Sequence, residues 1–338
     1  MKIIEILPEL DIGGVERHVI DLSNELARRG HEVLVVSAGG QMQGQLSAKV
    51  EHRILPVHKK NPFTGWFCAK KISEWIKREN WQILHAHSRV PAWIAMWTSG
   101  MSDVPYLVTA HVDFGNKSRW IYRPYRQASK TICVSRAVCD AMAVVFSDNT
   151  EVVLNGLDAP EVSWSGPGGP TVKFLFVGRL SEVKGLQDAL RAMPQEGDWS
   201  LNVLGDGPMM GELKKITEEH RISEKVAFHG YVDGKTVDRY MADSSCLLFP
   251  SYTEGMPLTL ARAIQIGVPV IASNIEPVAE MAGARTGLLA PGDVEAWRGA
   301  IADFIVGQAP RTKFDPERVP TLEKMADRVE MIYREILR

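Results

Sequence analysis

The sequence lacks any apolar run that approaches the roughly 18 residues of a membrane-spanning helix. Its first residues, MKIIEILP, are interrupted by Glu5 and followed by Glu9, so they do not resemble the hydrophobic region of a signal peptide. The four cysteines stand far apart, with no C-x-x-C pair and no spacing typical of a metal site. These absences predict a cytoplasmic protein with reduced, buried thiols, and they leave attachment to the inner face of a membrane open.

The chain also has little net charge. Its 39 Lys and Arg residues nearly balance 41 Asp and Glu residues, which argues against a large nucleic-acid interface. Residues 1–160 carry 19 basic and 16 acidic side chains, whereas the remainder carries 20 and 25. A length of 338 residues, 45% of them hydrophobic, favours two domains with full cores.

Short β-branched apolar runs recur along the chain, with helix-like segments between them. Strands that alternate with helices are typical of parallel sheets covered on both faces. The predicted strands of the first series are residues 2–7, 32–38, 53–57, 83–87, 106–111, 131–135 and 151–154. Those of the second are residues 173–178, 201–205, 226–230, 246–250, 268–273 and 287–290.

A linker separates the two series. Residues 159–170, APEVSWSGPGGP, contain three prolines and three glycines and cannot hold a regular element. We therefore predict an N-terminal domain over 1–158 and a second domain over 171–320, both doubly wound α/β, facing a central cleft. Residues 321–338 have apolar residues near helical spacing and form a closing amphipathic helix.

Three segments combine glycine with charge. LDIGGVE at 10–16 leads into a helix, where glycines let backbone N–H groups approach an anion. FVGRLSEVKG at 176–185 places Arg179 and Lys184 just after a strand, as suits a diphosphate. The third segment is PSYTEGMPLTLARAI at 250–264.

With these segments the chain resembles retaining nucleotide-sugar glycosyltransferases of the GT-B fold, in glycosyltransferase family 4. The resemblance covers nearly the whole chain and implies two Rossmann-like domains, with the C-terminal helix crossing back to the first. The motifs that carry it are GGVE at 13–16, TAHVD at 109–113, VLNGLD at 153–158, GRLSEVKG at 178–185, LGDGP at 204–208, HGYV at 229–232, PSYTEGMPLTLARA at 250–263 and GLLAPGD at 287–293.

The resemblance also implies roles for single residues. Arg179 and Lys184 would neutralise the donor diphosphate, Glu254 would accept bonds from hydroxyls of the donor sugar, and His111 would help to orient that sugar. Gly14 would let the N-terminal loop approach a phosphate, and the segment that starts the helix after Glu254 would offer backbone N–H groups to the donor. The donor-binding residues implied are Gly14, Tyr231, Gly255, Met256, Pro257, Leu258, Thr259 and Arg262.

In such an enzyme the acceptor attacks from the face that the leaving group vacates, and a β-phosphate oxygen takes its proton. Cations lower the barrier to diphosphate departure without a metal, so we predict a metal-independent hexosyltransferase with no cofactor and no protein nucleophile. The partners implied are a nucleotide sugar and a glycan or lipid-linked acceptor, in bacterial cell-surface polysaccharide or lipopolysaccharide biosynthesis.

One position departs from the family pattern. The spacing from Glu254 to the second motif glutamate ends on Arg262, which has donors only, where the family has a carboxylate for the ribose hydroxyls. Altered ribose contacts, an unusual donor and loss of catalysis are three possible consequences, and we favour the first. The alternatives are therefore a catalytically silent sugar-nucleotide-binding subunit and, less in keeping with the motifs, a nucleotide-sugar epimerase.

Polar side chains near the end of the fourth strand point to the acceptor. Ser88 and Arg89 lie just past that strand, where open α/β sheets bind ligands, and Asp113 follows the next one. His85 and His87 share one face of the strand, but no third ligand with suitable spacing follows, so we predict no metal site.

Two segments of the first domain mix cations with aromatic residues. Residues 117–136 contain six cations and no acids, interleaved with Trp120, Tyr122 and Tyr125, and residues 59–71 have a similar composition. Such mixtures suit an anionic membrane surface or an anionic glycan. The alternative is an ordinary solvated helix face with the aromatic rings packed beneath it.

Overall fold

The computed structural model describes residues 1–112, 115, 118–146, 148–166 and 168–338. The chain forms two compact units. Unit 1 comprises Met1–Asp158 and Pro320–Arg338, and unit 2 comprises Ala159–Val319. No helix among the described residues is long and apolar enough to cross a bilayer.

Unit 1 is a seven-stranded sheet in the order β3-β2-β1-β4-β5-β6-β7, with all neighbouring strands parallel. The order reverses between β1 and β4, which is where open sheets of this type form a ligand crevice at the carboxyl ends of the strands. Its elements are β1 (Lys2–Ile6), α1 (Gly14–Arg28), β2 (Glu32–Ser37), β3 (Val50–Ile54), α2 (Pro62–Glu79), β4 (Ile83–His87), α3 (Arg89–Ser102), β5 (Tyr106–Ala110), α4 (Arg123–Gln127), β6 (Lys130–Cys133), α5 (Arg136–Met142) and β7 (Thr150–Val152).

Unit 2 repeats the design with five parallel strands in the order β10-β9-β8-β11-β12, and its reversal falls between β8 and β11. Its elements are β8 (Val172–Val177), α6 (Leu186–Ala192), β9 (Trp199–Leu204), α7 (Met210–Glu219), β10 (Val226–Gly230), α8 (Gly234–Ala242), β11 (Cys246–Phe249), α9 (Leu258–Ile266), β12 (Val270–Ala272), α10 (Glu276–Ala282) and α11 (Val294–Ile305).

The last helix, α12 (Leu322–Ile336), belongs to unit 1. The Thr321 side chain caps its first turn by accepting from the Lys324 N–H, and its apolar stripe is buried in the core beside α1. At the surface, Arg29 at the end of α1 pairs with Asp327 at 2.6 Å. The predicted return of the C-terminal helix to the first domain is therefore confirmed.

The fold class is confirmed as two parallel α/β sheets. The central strands β1, β4, β5 and β11 are buried almost throughout, whereas the edge strands β3 and β10 are partly exposed. One strand prediction is wrong. Residues 287–290 form only an isolated bridge, between Leu289 and Ser273. The segment lies between Gly287 and Gly292, both at positive φ, and these turns leave no length for a ladder.

Candidate functional site

Two motif loops of unit 2 meet at the carboxyl edge of β8 and β11, which are neighbouring strands. The Tyr252 N–H donates to the Val183 carbonyl at 2.8 Å and ties the loops together. Gly185 has φ +69°, and a Cβ added there would lie 2.0 Å from the Pro250 carbonyl oxygen. A side chain cannot be accommodated at Gly185, so this glycine is what permits the loops to approach.

These loops bring together two of the predicted catalytic residues. Lys184 Nζ lies 2.6 Å from Glu254 Oε1, and Ser251 Oγ donates to the same oxygen at 2.7 Å. The Glu254 side chain is 11% exposed and that of Lys184 is 27% exposed, whereas Arg179 is on the open surface. The site therefore offers cations and a fixed carboxylate at one edge of the sheet.

A third loop packs beneath the first. A Cβ on Gly205 would lie 1.9 Å from the Gly178 oxygen, and one on Gly207 would lie 2.3 Å from the Leu180 oxygen. The Leu180 N–H donates to the Asp206 carbonyl at 2.9 Å. These glycines therefore allow close packing of the loop that carries Arg179.

Of the residues predicted to offer backbone N–H groups around the start of α9, Pro257 and Leu258 do not. Pro257 has no N–H, and the Leu258 N–H is already bonded to the Met256 carbonyl at 3.0 Å. The helix itself begins at Leu258, so Thr259 lies in its first turn. Anion binding by this terminus would depend on the residues beside Pro257 and Leu258.

Arg262 of α9 forms an ion pair with a residue of the neighbouring helix α8. Its Nε lies 3.3 Å from Asp238 Oδ1 on α8, and it donates to Gln265 Oε1 at 3.2 Å. Both partners of the ion pair are largely buried, with side chains 15% and 17% exposed. Sequence reasoning missed Asp238, because it lies in no recognised motif. Tyr231, after β10, is 47% exposed.

In unit 1, the acceptor-side residues lie where β4 turns into α3. Ser88 precedes α3 with φ +79° and ψ 167°, a region that glycine alone adopts readily. Arg89 is the first residue of α3, and Gly14 is the first residue of α1. Asp113, the third predicted acceptor residue, lies outside the described residues, as does Lys117.

A buried polar network connects β1, β4, β5 and α12 of unit 1. The Tyr333 hydroxyl donates to Glu5 Oε1 at 2.8 Å, and Glu5 Oε2 lies 2.7 Å from His87 Nε2. His85 Nδ1 lies 2.7 Å from the Tyr333 hydroxyl, and its Nε2 lies 2.7 Å from Thr109 Oγ1. The side chains of Glu5, His85 and His87 are 0% exposed, so this network is sealed from solvent.

The predicted His111 joins this network through His87. His87 Nδ1 and His111 Nε2 are 3.0 Å apart, and the His18 ring meets His111 edge-on at a centroid distance of 5.0 Å. Burial lowers the pKa of His87 to about 4 and the pKa values of His18 and His111 well below their usual range. These imidazoles are therefore neutral at physiological pH.

Two groups in the network have the ligand types of a metal site. One nitrogen from each of His18, His87 and His111 lies within 4.8 Å of the others, and Glu5, His85 and His87 form a similar group. Within the first group, His87 Nδ1 and His111 Nε2 lie at hydrogen-bond distance from each other. A metal bound through these two nitrogens would replace that bond.

Sequence reasoning found His85, His87 and His111 but missed Glu5, His18 and Tyr333. The signal for Glu5 was present, since a carboxylate interrupts the otherwise apolar strand β1. A charge in a strand buried on both faces needs a partner. Nothing in the sequence identified that partner as Tyr333, because 328 residues separate the two.

The two basic-aromatic segments form one surface of unit 1. Phe63, Trp66 and Trp120 are 86%, 53% and 70% exposed. Trp93 and Trp97 of α3 lie between them, with the Trp93 ring 5.6 Å from Trp97 and 5.2 Å from Trp120. We call this the basic-aromatic surface; its exposed residues are Lys59, Lys60, Phe63, Trp66, Phe67, Lys70, Lys71, Arg119, Trp120, Arg123 and Arg126.

Some aromatic residues of these segments follow the alternative prediction, in which the rings pack beneath a solvated face. Tyr122 and Tyr125 are fully buried, with ring centroids 5.5 Å apart. Tyr122 is the N-cap of the short helix α4, and Pro124 and Tyr125 lie within that helix. The aromatic residues available to a partner are therefore those of α2 and Trp120.

Comparisons with known proteins agree with this architecture. Residues 12–160 match the family Glycosyltransferase Family 4, and residues 165–317 match Glycosyl transferases group 1. The uncharacterized glycosyltransferase MJ1607 of Methanocaldococcus jannaschii is 23% identical over 312 residues, 81% of this chain and 80% of the relative. Lipopolysaccharide 1,6-galactosyltransferase of Escherichia coli K12 is 26% identical over 195 residues, 55% and 52% of the two chains.

A solved structure shows the same fold over the whole length. Anabaena Alr3699/HepE in complex with UDP-glucose superimposes with a TM-score of 0.76 at 17% identity, covering 99% of this chain and 98% of that one. The two family matches together span both units. The protein belongs to the family 4, group 1 glycosyltransferases and has their GT-B fold.

Proposed function

We propose that the protein is a retaining, metal-independent hexosyltransferase that moves a sugar from a nucleoside-diphosphate donor to a glycan or lipid-linked acceptor. Unit 2 would bind the donor and unit 1 the acceptor. The observation that carries the proposal is the contact between Lys184 and Glu254, at 2.6 Å on glycine-held loops, beside the exposed Arg179.

This arrangement suits the departure of a nucleoside diphosphate. Negative charge develops on the β-phosphate as the glycosidic bond breaks, and preorganised cations stabilise it. The Lys184 ammonium has three donors, so it can hold Glu254 and still donate to a phosphate oxygen. Arg179 would add a planar fork that fits phosphate geometry.

Glu254 would position the donor sugar. Its bonds to Lys184 and Ser251 both use Oε1, and a carboxylate has further lone pairs to accept bonds from sugar hydroxyls. We assign no protein nucleophile. The acceptor hydroxyl would attack from the face that the diphosphate leaves, and a β-phosphate oxygen would take its proton, which retains the anomeric configuration.

The names of two similar proteins support the choice of substrates. The Anabaena structure contains UDP-glucose, and the Escherichia coli relative is a lipopolysaccharide galactosyltransferase. We infer a nucleotide-sugar donor and a role in bacterial cell-surface polysaccharide or lipopolysaccharide synthesis. Arg262 beside Asp238 favours altered ribose contacts, since a carboxylate is still present next to that position.

The proposal is tested by a donor screen followed by product analysis. Nucleotide sugars that raise the melting temperature are incubated with the protein, with and without EDTA, and NMR gives the anomeric configuration of any product. We expect slow donor hydrolysis that EDTA leaves unchanged and that Glu254→Gln lowers by about 100-fold or more. Glu224→Gln, an exposed change in the same unit, serves as the control.

Each of the other outcomes would assign a different function or mechanism to the protein. Donor binding without turnover would show a silent binding subunit, and free epimer would show an epimerase. An inverted product or loss of activity with EDTA would contradict the retaining or the metal-independent part of the proposal.

We further propose that the basic-aromatic surface of unit 1 docks on an anionic membrane. Exposed rings insert at the interface while neighbouring cations attract anionic headgroups, at about 1 kcal/mol per cation. The surface meets both needs, because Phe63 and Trp66 are exposed and are close in sequence to the exposed Lys59 and Lys60. A lipid-linked acceptor would be presented at that same membrane.

Sedimentation with phosphatidylglycerol vesicles tests this surface. We expect binding that is absent with phosphatidylcholine alone and lost both in Lys59→Glu/Lys60→Glu and in Phe63→Ser/Trp66→Ser. The matched control is Lys214→Glu/Lys215→Glu, on the exposed face of α7 in unit 2. Binding that survives both changes in unit 1 would rule the surface out.

A further inference from the structure

We propose that Glu5 is a positioning residue for His111: acting through His87, its buried carboxylate fixes which ring nitrogen of His111 carries the proton. The inference rests on the proposed function, because a glycosyltransferase of this family would use His111 to help orient the donor sugar. No motif singles out Glu5, and it lies two hydrogen bonds away from His111.

The contacts form an unbroken line through three strands of unit 1. Glu5 on β1 lies 2.7 Å from His87 Nε2 on β4, and His87 Nδ1 lies 3.0 Å from His111 Nε2 just after β5. The far side of the carboxylate is held by the Tyr333 hydroxyl of α12 at 2.8 Å. Glu5 and His87 are fully buried and His111 is 5% exposed, so water does not compete with these bonds.

The proton positions follow from the chemistry of the groups. Hydrogen bonds from His85 and His87 lower the pKa of Glu5 far below its usual range, against the effect of burial, so the group is an ionised acceptor. His87 must therefore carry its proton on Nε2, facing Glu5. Since burial keeps His87 neutral, its Nδ1 is an acceptor, and His111 must donate from Nε2.

His111 is itself neutral, because burial and the neighbouring His18 lower its pKa. With the proton on Nε2, its Nδ1 can only accept a hydrogen bond. The opposite tautomer would carry its proton on Nδ1. That N–H would donate to a sugar hydroxyl and could not accept a hydrogen bond from it. Glu5 would thus decide whether His111 accepts or donates.

Among the described residues, the other titratable side chains that contact Glu5, His87 or His111 are consistent with this direction. His85 on β4 donates from Nδ1 to the Tyr333 oxygen, because that hydroxyl gives its own proton to Glu5. His18 on α1 contacts the rings of His87 and His111, at 5.5 and 5.0 Å. Glu5 is the carboxylate in the group that it forms with His85 and His87. Its negative charge therefore sets the direction of the hydrogen bonds from His111 through His87 to Glu5.

The experiment uses the full-length protein with ¹⁵N-labelled histidine. The His111 ring signals are assigned with His111→Gln, and their shifts report which nitrogen is protonated. We expect Nε2 protonation in the wild type and a second population, protonated on Nδ1, in Glu5→Gln, whose amide can present a donor to His87. Tyr333→Phe is the matched control, because it removes a buried hydroxyl but leaves Glu5 to accept from His87.

Turnover gives the second measurement. Glu5→Gln should lower kcat by about 10- to 100-fold, as removal of such an orienting partner commonly does, with unchanged affinity for the free nucleoside diphosphate. Tyr333→Phe should lower kcat far less. Assays are run well below the melting temperature of each variant, so that loss of folded protein is not read as loss of turnover.

Several results would overturn the inference. Nδ1 protonation of His111 in the wild type would do so, as would wild-type ¹⁵N shifts in Glu5→Gln. Equal losses of kcat in Glu5→Gln and Tyr333→Phe would show a purely structural role. If no transferase activity is found with any donor, the proposed function fails, but the ¹⁵N shifts still decide the role of Glu5.

Discussion

The two units share a fold but place their polar residues differently. In unit 2 the candidate side chains lie on loops at the sheet edge, and glycine holds those loops close enough to bring Lys184 to Glu254. In unit 1 His87 and His111 are buried and neutral, and His87 is hydrogen-bonded to Glu5. At the candidate sites, unit 2 presents charged side chains on its surface loops, whereas unit 1 holds the Glu5 carboxylate in its interior.

The difference shows which kind of site each packing scheme can support. A diphosphate carries full charges, which exposed cations on close-packed loops can meet at low desolvation cost. A sugar hydroxyl needs one bond of defined direction, which a buried neutral imidazole supplies once its tautomer is fixed. Four changes would break or sharpen this contrast.

The largest effect is expected for Gly185→Ala. The positive φ and the 2.0 Å approach to Pro250 leave no space for a methyl group, so the variant should lose about 3 kcal/mol of stability in unit 2. Nucleoside diphosphate affinity should fall at least about tenfold, since the cation loop would shift. Thermal unfolding and calorimetric titration measure both effects.

The control for this change is Gly211→Ala. A Cβ at Gly211 meets nothing within 4 Å, and the residue lies in α7. Stability should therefore stay unchanged or rise slightly. Equal melting temperatures for the two variants would show that the loops of unit 2 do not depend on glycine.

Acid should weaken unit 1 before unit 2. His87 has its pKa lowered by burial from 6.5 to about 4, so below pH 6.5 the unfolded chain binds protons that the folded unit does not. Between pH 7 and pH 5 this group alone should cost unit 1 about 2 kcal/mol. His220 and His229, the histidines of unit 2, are not buried.

Hydrogen exchange, corrected for intrinsic rates, can follow the two sheets in one sample. Opening free energies in β1, β4 and β5 should fall at pH 5, while those in β8, β9 and β11 should change little. A similar loss in both sheets would remove the contrast between the units.

A smaller effect is expected at Arg262. Arg262→Glu would set a second carboxylate beside Asp238 in a mostly buried position, at a cost of about 1 to 2 kcal/mol. Exchanging the pair, as Arg262→Glu/Asp238→Arg, should recover most of that stability. It should also change nucleotide affinity, because the family carboxylate is then restored.

The decisive comparison is between the single and the double variant in nucleotide titrations and donor turnover. If affinity and turnover match the wild type in both, position 262 has no part in nucleotide binding, and our interpretation of Arg262 fails.

The smallest effect is expected for Ser88→Gly. Ser88 has φ +79° and ψ 167°, a conformation that glycine adopts without strain, so unit 1 should gain up to about 1 kcal/mol. Acceptor turnover should fall if the hydroxyl contacts the acceptor. Ser99→Gly, inside α3, should instead lower the melting temperature, and a lower value for both would contradict the strain at Ser88.

The sequence allowed prediction of features that depend on neighbours along the chain. Runs of β-branched residues predicted both sheets, and alternation placed His85 and His87 on one face, where their rings lie 4.2 Å apart. Motifs placed Lys184 and Glu254 in unit 2. All of these depend on short-range spacing, which a single sequence records directly.

Features that depend on distant contacts could not be predicted. Residues 287–290 have the composition of a strand but form a turn-bounded segment, because their pairing is limited to one bridge. Tyr122 and Tyr125 occur among cations yet are buried against each other. Arg262 could be recognised as a departure, but Asp238 could not be recognised as its partner.

The position of α12 in unit 1 has a consequence for biosynthesis. Unit 2, a continuous stretch from Ala159 to Val319, is complete before α12 is made. Glu5 leaves the ribosome early, whereas Tyr333 follows 328 residues later, about 15 to 65 s at usual synthesis rates. During that time β1 holds a carboxylate whose hydroxyl partner has not yet been synthesised, and unit 1 can complete its core only after α12 has been made.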